Sequence, residues 1–353
     1  VSARDQTREP AADHGEASPR VTVAISTWNR AHLVGRALAS ARAQTVRDIE
    51  ILVVDDGSTD ETPTVLAGVE DRRVRVVRLE RNGGISRARN TSIRLARGEW
   101  VAFHDDDNEW APQYLARQLE CAARHPGVGV IYCRAWRQGG TRAHDGITPE
   151  VMREGWVFSH LARGWMPLIS GTLIHRSLLL AVGGLDEALR ATEDRDLWLR
   201  LAERTEFAGS PETLVVRHIH EGAHLSRNYA FVIGDARTLD AKWKATMLAA
   251  GGWMAYQRWH TLLFGTAELV RALDAAEARN VGNGLRSIAR LSRHLPWSAP
   301  FLARALVLTV CGSAVYQRLA ERRSRQRSDM WPVAAPTGVA SSIAATRAGT
   351  PGA

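Results

Sequence analysis

Segments of four to six mostly apolar residues recur along the first part of the chain, and the first four are each followed by a stretch whose apolar residues return at helical spacing. The runs Val21 to Ile25, Ile49 to Val54, Val74 to Leu79, Trp100 to Phe103 and Val128 to Cys133 predict strands. Between them, Ala31 to Gln44, Thr62 to Val69, Ser86 to Ala96 and Pro112 to Arg124 predict helices. Such alternation implies an α/β fold, a mostly parallel sheet with helices on both faces. Residues 135–168 break the pattern and are rich in Gly, Arg and Trp. Strands then return at Ile169 to His175 and Thr213 to Val216, with helices at Ser177 to Val182 and Asp194 to Glu203. From Phe231 to Arg323 the spacing is helical throughout. The reading divides the chain into a disordered arm (1–19), an α/β domain (20–229, with halves 20–134 and 135–229), a helical appendage (230–328) and a disordered tail (329–353).

Composition narrows the picture. A chain of 353 residues, 45% of them hydrophobic, has enough apolar surface for a sizeable core. Its 46 basic and 38 acidic residues give a net charge of +8, and the nine Arg between 286 and 327, against the single acid Glu321, account for the whole excess. That charge lies far from the acidic clusters described below and does not interleave with aromatics near them, which argues against a nucleic-acid partner. Cys121, Cys133 and Cys311 have neither CxxC nor metal-ligand spacing, so they read as buried thiols in a reducing compartment. The polar N-terminal residues lack the apolar core of a secretory signal, and the expectation is a cytoplasmic protein.

Two acidic clusters carry the candidate chemistry. Asp55-Asp56-Gly57-Ser58 and His104-Asp105-Asp106-Asp107-Asn108 each follow a predicted strand, where side chains point into the crevice at which open α/β sheets bind ligands. At the end of the first strand stands Thr27-Trp28-Asn29, whose aromatic ring can stack on a base. Asp55 or Asp56 beside it can accept the imide N–H of uracil or thymine. Asp105 and Asp107 flank one residue, the spacing at which a turn aims two carboxylates at one Mg²⁺ or Mn²⁺ carrying a diphosphate. Ser58 and Glu61 have the spacing of a capping box, a structural assignment. Arg87, Arg89 and Arg227 are candidate phosphate contacts, with Arg89 equally able to pair with a buried Asp of the second strand.

Four motifs in order carry a resemblance: Thr27-Trp28-Asn29; Val54-Asp55-Asp56-Gly57-Ser58-Thr59-Asp60; Arg81-Asn82-Gly83-Gly84-Ile85-Ser86-Arg87-Ala88-Arg89-Asn90; and Phe103-His104-Asp105-Asp106-Asp107-Asn108-Glu109-Trp110. Together they resemble the nucleotide-binding half of inverting family 2 glycosyltransferases with the GT-A fold. The likeness continues through Thr192-Glu193-Asp194-Arg195-Asp196 and ends near Asn228. It implies that Asp55 and Asp56 hold a uridine, that Thr27, Trp28, Arg87, Asp105 and Asp106 line the nucleotide, and that Asp107 holds the divalent cation. It further implies that Asp194 is the catalytic base, with Glu193 beside it and Asp196 structural. A His before a Leu-Ser pair joins the metal or diphosphate in related sequences; His220 is chosen over His218 and His224.

The resemblance implies a metal-dependent hexosyltransferase using a UDP-hexose, or a dTDP-sugar as runner-up, with a lipid-linked, polysaccharide or small-molecule acceptor. The rival class is a non-catalytic nucleotide-sugar-binding scaffold of an envelope or polysaccharide assembly complex. A nucleotidyltransferase is a second rival, but no Gly-rich loop followed by an Arg and Lys pair opens the chain. In residues 296–327 an aromatic entry at Trp297 and Phe301 leads into an apolar stretch, Ala305 to Tyr316, and an Arg-rich exit. That stretch is shorter than the ~20 residues of a bilayer span, so the expectation is peripheral contact with an anionic leaflet.

Overall fold

The structure, a computed structural model, describes residues 18–138, 146–218, 228–293 and 299–310. Strand β1 (Val21–Thr27) is followed by helix α1 (Ala31–Arg42), β2 (Ile49–Asp55), α2 (Thr62–Ala67), β3 (Val74–Arg78), α3 (Ile85–Leu95) and β4 (Trp100–Asp105). These four strands pair in parallel in the order β3-β2-β1-β4. Every residue of β1 and β2 is buried, the condition of a strand covered on both faces and the reason both read as apolar runs broken only by Thr22 and Glu50 before their polar ends. Each fully buried Val, Ile or Leu there contributes about 1.5–3 kcal/mol.

The sheet continues beyond β4. Next come β5 (Asn108–Trp110), α4 (Tyr114–Arg124), β6 (Val130–Gln138), β7 (Gly146–Thr148), α5 (Phe158–Ala162), a 3-10 turn at Ile169–Gly171, β8 (Thr172–His175), α6 (Arg176–Ala181), α7 (Glu193–Ala202) and β9 (Phe207–His218). Past β4 the order is β8-β6-β9-β5, with β7 on β6. Strand β8 runs antiparallel to β4 and β6, whereas β9 is parallel to β6, so most paired positions in the sheet are parallel.

Three local readings change. The predicted strand at Ile169 opens as the 3-10 turn instead. The span 135–168, read as irregular, holds the end of β6, β7 and α5. Strand β9 has 12 residues, three times the predicted run, because a bulge opposite Cys133 and Arg134 leaves Pro211 and Glu212 exposed and breaks the alternation that marks a strand.

The long helix α8 (Tyr229–Glu277) breaks at Gly251 and Gly252, the latter with φ 64°, and leads to α9 (Val281–Ser292) and to helical residues 299–310. The first part of α8 packs against the α/β core. Its Ala236, Leu239, Trp243 and Met247, with Tyr256, Trp259 and Leu263 beyond the break, share one core with Phe103, Val130, Trp198 and Phe207. A separate small core of Ala272, Leu291, Ala305 and Leu308 joins the end of α8 to α9 and 299–310. No helix among the described residues is long and apolar enough to cross a membrane. The arm to residue 17, the tail, and 311–327 of the basic stretch lie outside the described residues.

Beneath the end of β4, His104 stacks on Trp110 at 4.1 Å and Trp110 on Tyr114 at 4.1 Å. Burial pushes the His104 imidazole down to about 4, against the pull of Asp105. A base whose folded value lies below its unfolded one stabilises the fold above about pH 6.5 and loses that contribution as pH falls toward 4. The contribution is about 3 kcal/mol. Urea unfolding of His104→Phe, which keeps an aromatic ring and removes the proton site, should show a shallower loss of stability between pH 6.5 and 4 than the parent chain; equal slopes would assign the acid sensitivity elsewhere.

Candidate active site

The register of the parallel strands aligns the motifs. Thr27 lies opposite Asp55, and Ser26 opposite Asp105, so the C-terminal ends of β1, β2 and β4 form one rim. Each strand runs one or two residues past its apolar run, and the last positions carry the polar side chains. Trp28, just beyond β1, is 48% exposed on this rim rather than packed in the core. Asn29 (φ 52°) ties the rim together: its Oδ1 accepts from the Thr59 N–H at 2.7 Å, and its own N–H donates to Ser58 Oγ at 2.9 Å. Ser58 therefore does not cap α2, and the expected capping box is absent; the Asp60 carboxylate accepts from the Thr62 N–H instead, at 2.9 Å.

The paired acids after β2 differ. Asp56 accepts from the Gly83 N–H at 2.9 Å and the Gly84 N–H at 2.8 Å, and its carboxyl is raised, chiefly by burial. Asp55 accepts from the Ser58 N–H through Oδ1 at 2.9 Å, while its buried Oδ2 has no hydrogen bond and lies 3.5 Å from Arg78 Nε. Gly57 between them and Ser58 has φ 72°, and a Cβ there would come within 2.7 Å of the Arg81 backbone, so the turn admits glycine alone. Arg87 packs across Gly83, and its charge lowers Asp56.

The three aspartates after β4 divide their duties. Arg89 donates to Asp105 and to Glu193, both at 2.7 Å, and so joins the end of β4 to the start of α7. This buried guanidinium pairs with β4 and α7, not with the second strand. Burial would raise the Asp105 carboxyl, but Arg89 holds it below its ordinary value. Asp106 accepts from the Thr27 hydroxyl at 2.7 Å, and burial pushes it up to about 7. Asp107, partly exposed on the turn, has its carboxylate 3.7 Å from Arg30 Nη1, and its carbonyl accepts from Arg36 at 2.8 Å.

Asp194 is the second residue of α7, beside the Arg89 bridge. Its Oδ1 accepts from the Arg195 N–H at 2.7 Å. Burial raises its carboxyl; Arg195 and Arg89 pull it down and Asp105 pushes it up. Glu193 is raised by the same burial. Asp196 faces away, fully buried among Arg200, Lys242 and Trp243, as the structural reading expects. His218, at the end of β9, lies 3.3 Å from Glu109. His220, His224 and Arg227 fall outside the described residues. Among the described residues no group of three or more His, Cys, Asp or Glu is arranged to enclose a cation. Sequence reasoning missed Ser170, whose Oγ accepts from the Asp105 N–H at 2.8 Å and from Asn108 at 3.0 Å. Nothing in the spacing marks it, because it arrives from a distant loop.

Residues 22–165 match the model of Glycosyl transferase family 2. An uncharacterised glycosyltransferase of Haemophilus influenzae is 29% identical over 191 residues, 53% of this chain and 63% of that protein. The succinoglycan biosynthesis protein ExoO of Rhizobium meliloti is 43% identical over 104 residues, 30% of each chain. An uncharacterised glycosyltransferase of Rickettsia prowazekii is 28% identical over 212 residues, 58% of this chain and 65% of that protein. The chain thus spans less than two thirds of these relatives. Among solved structures, the mannosyltransferase PcManGT of Pyrobaculum calidifontis, in complex with GDP-Man and Mn²⁺, superposes with a TM-score of 0.52 at 20% identity, covering 90% of this chain and 89% of that one. TarS 1-349 of S. aureus, in complex with UDP-GlcNAc, gives 0.52 at 18% identity, covering 75% and 89%. At such identities the likeness speaks for the fold. Ordered motifs, family match and architecture converge: over residues 22–165 the chain matches Glycosyl transferase family 2, and its fold is the GT-A fold of the glycosyltransferases it superposes on.

Proposed function

We propose that the chain transfers a hexose from a UDP-sugar to an acceptor hydroxyl in one inverting, metal-dependent displacement. The observation that carries the reading is the Arg89 bridge, which sets Asp194 beside the rim where Trp28, Asp55, Asp56 and Asp107 gather. Trp28 stacks on the base, and the unsatisfied Asp55 Oδ2 accepts its imide N–H. Asp56 shapes the Gly83-Gly84 turn, from which Arg87 reaches the diphosphate. Asp105 and Asp106, through Arg89 and Thr27, hold the turn that presents Asp107. Asp194 takes the proton of the acceptor hydroxyl as its oxygen attacks the anomeric carbon on the side away from the nucleotide; the bond from that carbon to the diphosphate breaks and the configuration inverts. Burial, by raising the Asp194 carboxyl, makes it a stronger base than an exposed aspartate.

A divalent cation fits the donor set. Asp107 offers a hard oxygen and would hold Mg²⁺ or Mn²⁺ with phosphate oxygens and water filling the remaining positions; His220, the second expected ligand, lies outside the described residues. Bound there, the cation would offset the charge of the departing diphosphate. The acceptor is a growing polysaccharide, a reading supported by the R. meliloti relative's name as a succinoglycan biosynthesis protein.

A thermal-shift panel of UDP-, dTDP- and GDP-sugars, with and without Mn²⁺, tests the donor, since a ligand at 100 times its Kd stabilises the fold by about 2.7 kcal/mol. UDP-sugars should raise Tm most, and Asp107→Ala should lose the Mn²⁺-dependent part while keeping the parent Tm without ligand. Stabilisation by GDP-sugars alone would replace the donor. A Mn²⁺-dependent shift undiminished in the variant would remove Asp107 from the metal.

A further inference from the structure

We propose that Asp235, on the second turn of α8, is a positioning residue for sugar transfer: it holds the loop Arg190–Thr192 so that Glu193 and Asp194 stay beside Asp105. The proposal rests on the transferase reading above.

The loop enters α7 with backbone donors that no helix bond satisfies, and the Thr192 side chain at the N-cap does not cap them. The N–H groups of this partly buried loop need an acceptor. Asp235 supplies it from another element. One oxygen accepts from the Ala191 N–H at 2.8 Å, the Thr192 N–H at 2.9 Å, the Thr192 hydroxyl at 3.0 Å and the Arg190 N–H at 3.1 Å; the other also takes the Arg190 N–H at 3.1 Å. Asp235 is itself buried, and every hydrogen bond it receives from a described residue comes from this loop. Positions 235, 239, 242 and 243 share one helix face. From that face Lys242 pairs with Asp186 at 2.8 Å and Asp196 at 3.0 Å, and Trp243 Nε1 donates to Asp196 at 2.9 Å. The segment carrying the proposed base is thereby held by α8 on both sides of Glu193-Asp194, and on its inner side by Arg89. A carboxylate that must meet an acceptor oxygen within hydrogen-bond reach loses rate steeply when displaced by 1 Å.

Asp235→Asn keeps one acceptor oxygen and loses the charge. Hydrogen exchange of the 190–194 amides should accelerate about tenfold or more. UDP binding with Mn²⁺, measured by calorimetry, should stay within about twofold, and UDP release from UDP-glucose, with water taking the glucosyl group as stand-in acceptor, should fall about 10- to 100-fold. A purely structural role would instead lower stability and leave turnover per folded molecule unchanged. Should Asp235→Asn fail to fold, Thr192→Val removes only the hydroxyl bond and should show the same pattern at smaller amplitude. Unchanged exchange at 190–194, or faster exchange with parent-like turnover, overturns the proposal. A parent chain that releases no UDP counts against the transferase reading, while the exchange result still decides whether Asp235 anchors the loop.

Discussion

Asp194→Asn should bind nucleotide as the parent chain does and lose about 10²- to 10⁴-fold in sugar transfer. The amide has nearly the shape of the carboxylate and can keep the bond from the Arg195 N–H, so α7 and the Arg89 bridge are preserved. What disappears is the capacity to take a proton. Asp194 also begins a helix, where any acid gains a few tenths of a kcal/mol from the helix dipole, and the variant separates the two roles. If helix placement were its whole purpose, stability would drop slightly and transfer would survive. Calorimetry with UDP and Mn²⁺ alongside a transfer assay reads both; near-parental transfer would leave Asp194 with the helix role alone.

Arg89→Met should destabilise the fold by about 3–5 kcal/mol, the cost of leaving buried charge without its partner. Arg89 is buried, and its guanidinium is held protonated against burial by Asp105, Glu193 and Asp194. Methionine fills a similar volume, so the loss is electrostatic rather than a cavity. Glu193→Gln in the same chain should recover part of it, because the two sites are directly coupled. Equilibrium urea unfolding measures the cycle. A single-variant loss under about 1 kcal/mol would mean that water or movement relieves the cluster and that Arg89 is not the bond between β4 and α7.

The first four strands, their parallel pairing and the clusters at their ends were legible because β1, β2 and β4 are buried almost throughout and so are written as largely apolar runs, while the partly buried β3 keeps Val74, Val76 and Val77 among arginines. Asp196 as a structural acid was legible from its place two residues after Asp194. Strand β9 was legible only over Thr213 to Val216, the largely buried stretch that follows the exposed Pro211 and Glu212. The capping box failed for a local reason: Ser58 had a better partner 29 residues away, the Asn29 N–H, and no spacing rule within one segment sees it.

Strand periodicity, turn glycines and clustered carboxylates are local properties of the chain, so the class of fold, the nucleotide-side motifs and the likeness to family 2 could be read before folding. How those acids divide their work depends on contacts between distant segments. Asp56 serves a backbone turn while Asp55 keeps an unsatisfied oxygen, Asp106 is tied to Thr27, and Asp105 to an arginine shared with Glu193. Contacts of the same kind join α8 to the core and set Asp235 on the loop before α7. The reason is physical: a buried hydrogen bond or ion pair is set by which groups lose water together, and residues 43 or 104 positions apart lose it together only once the chain has folded.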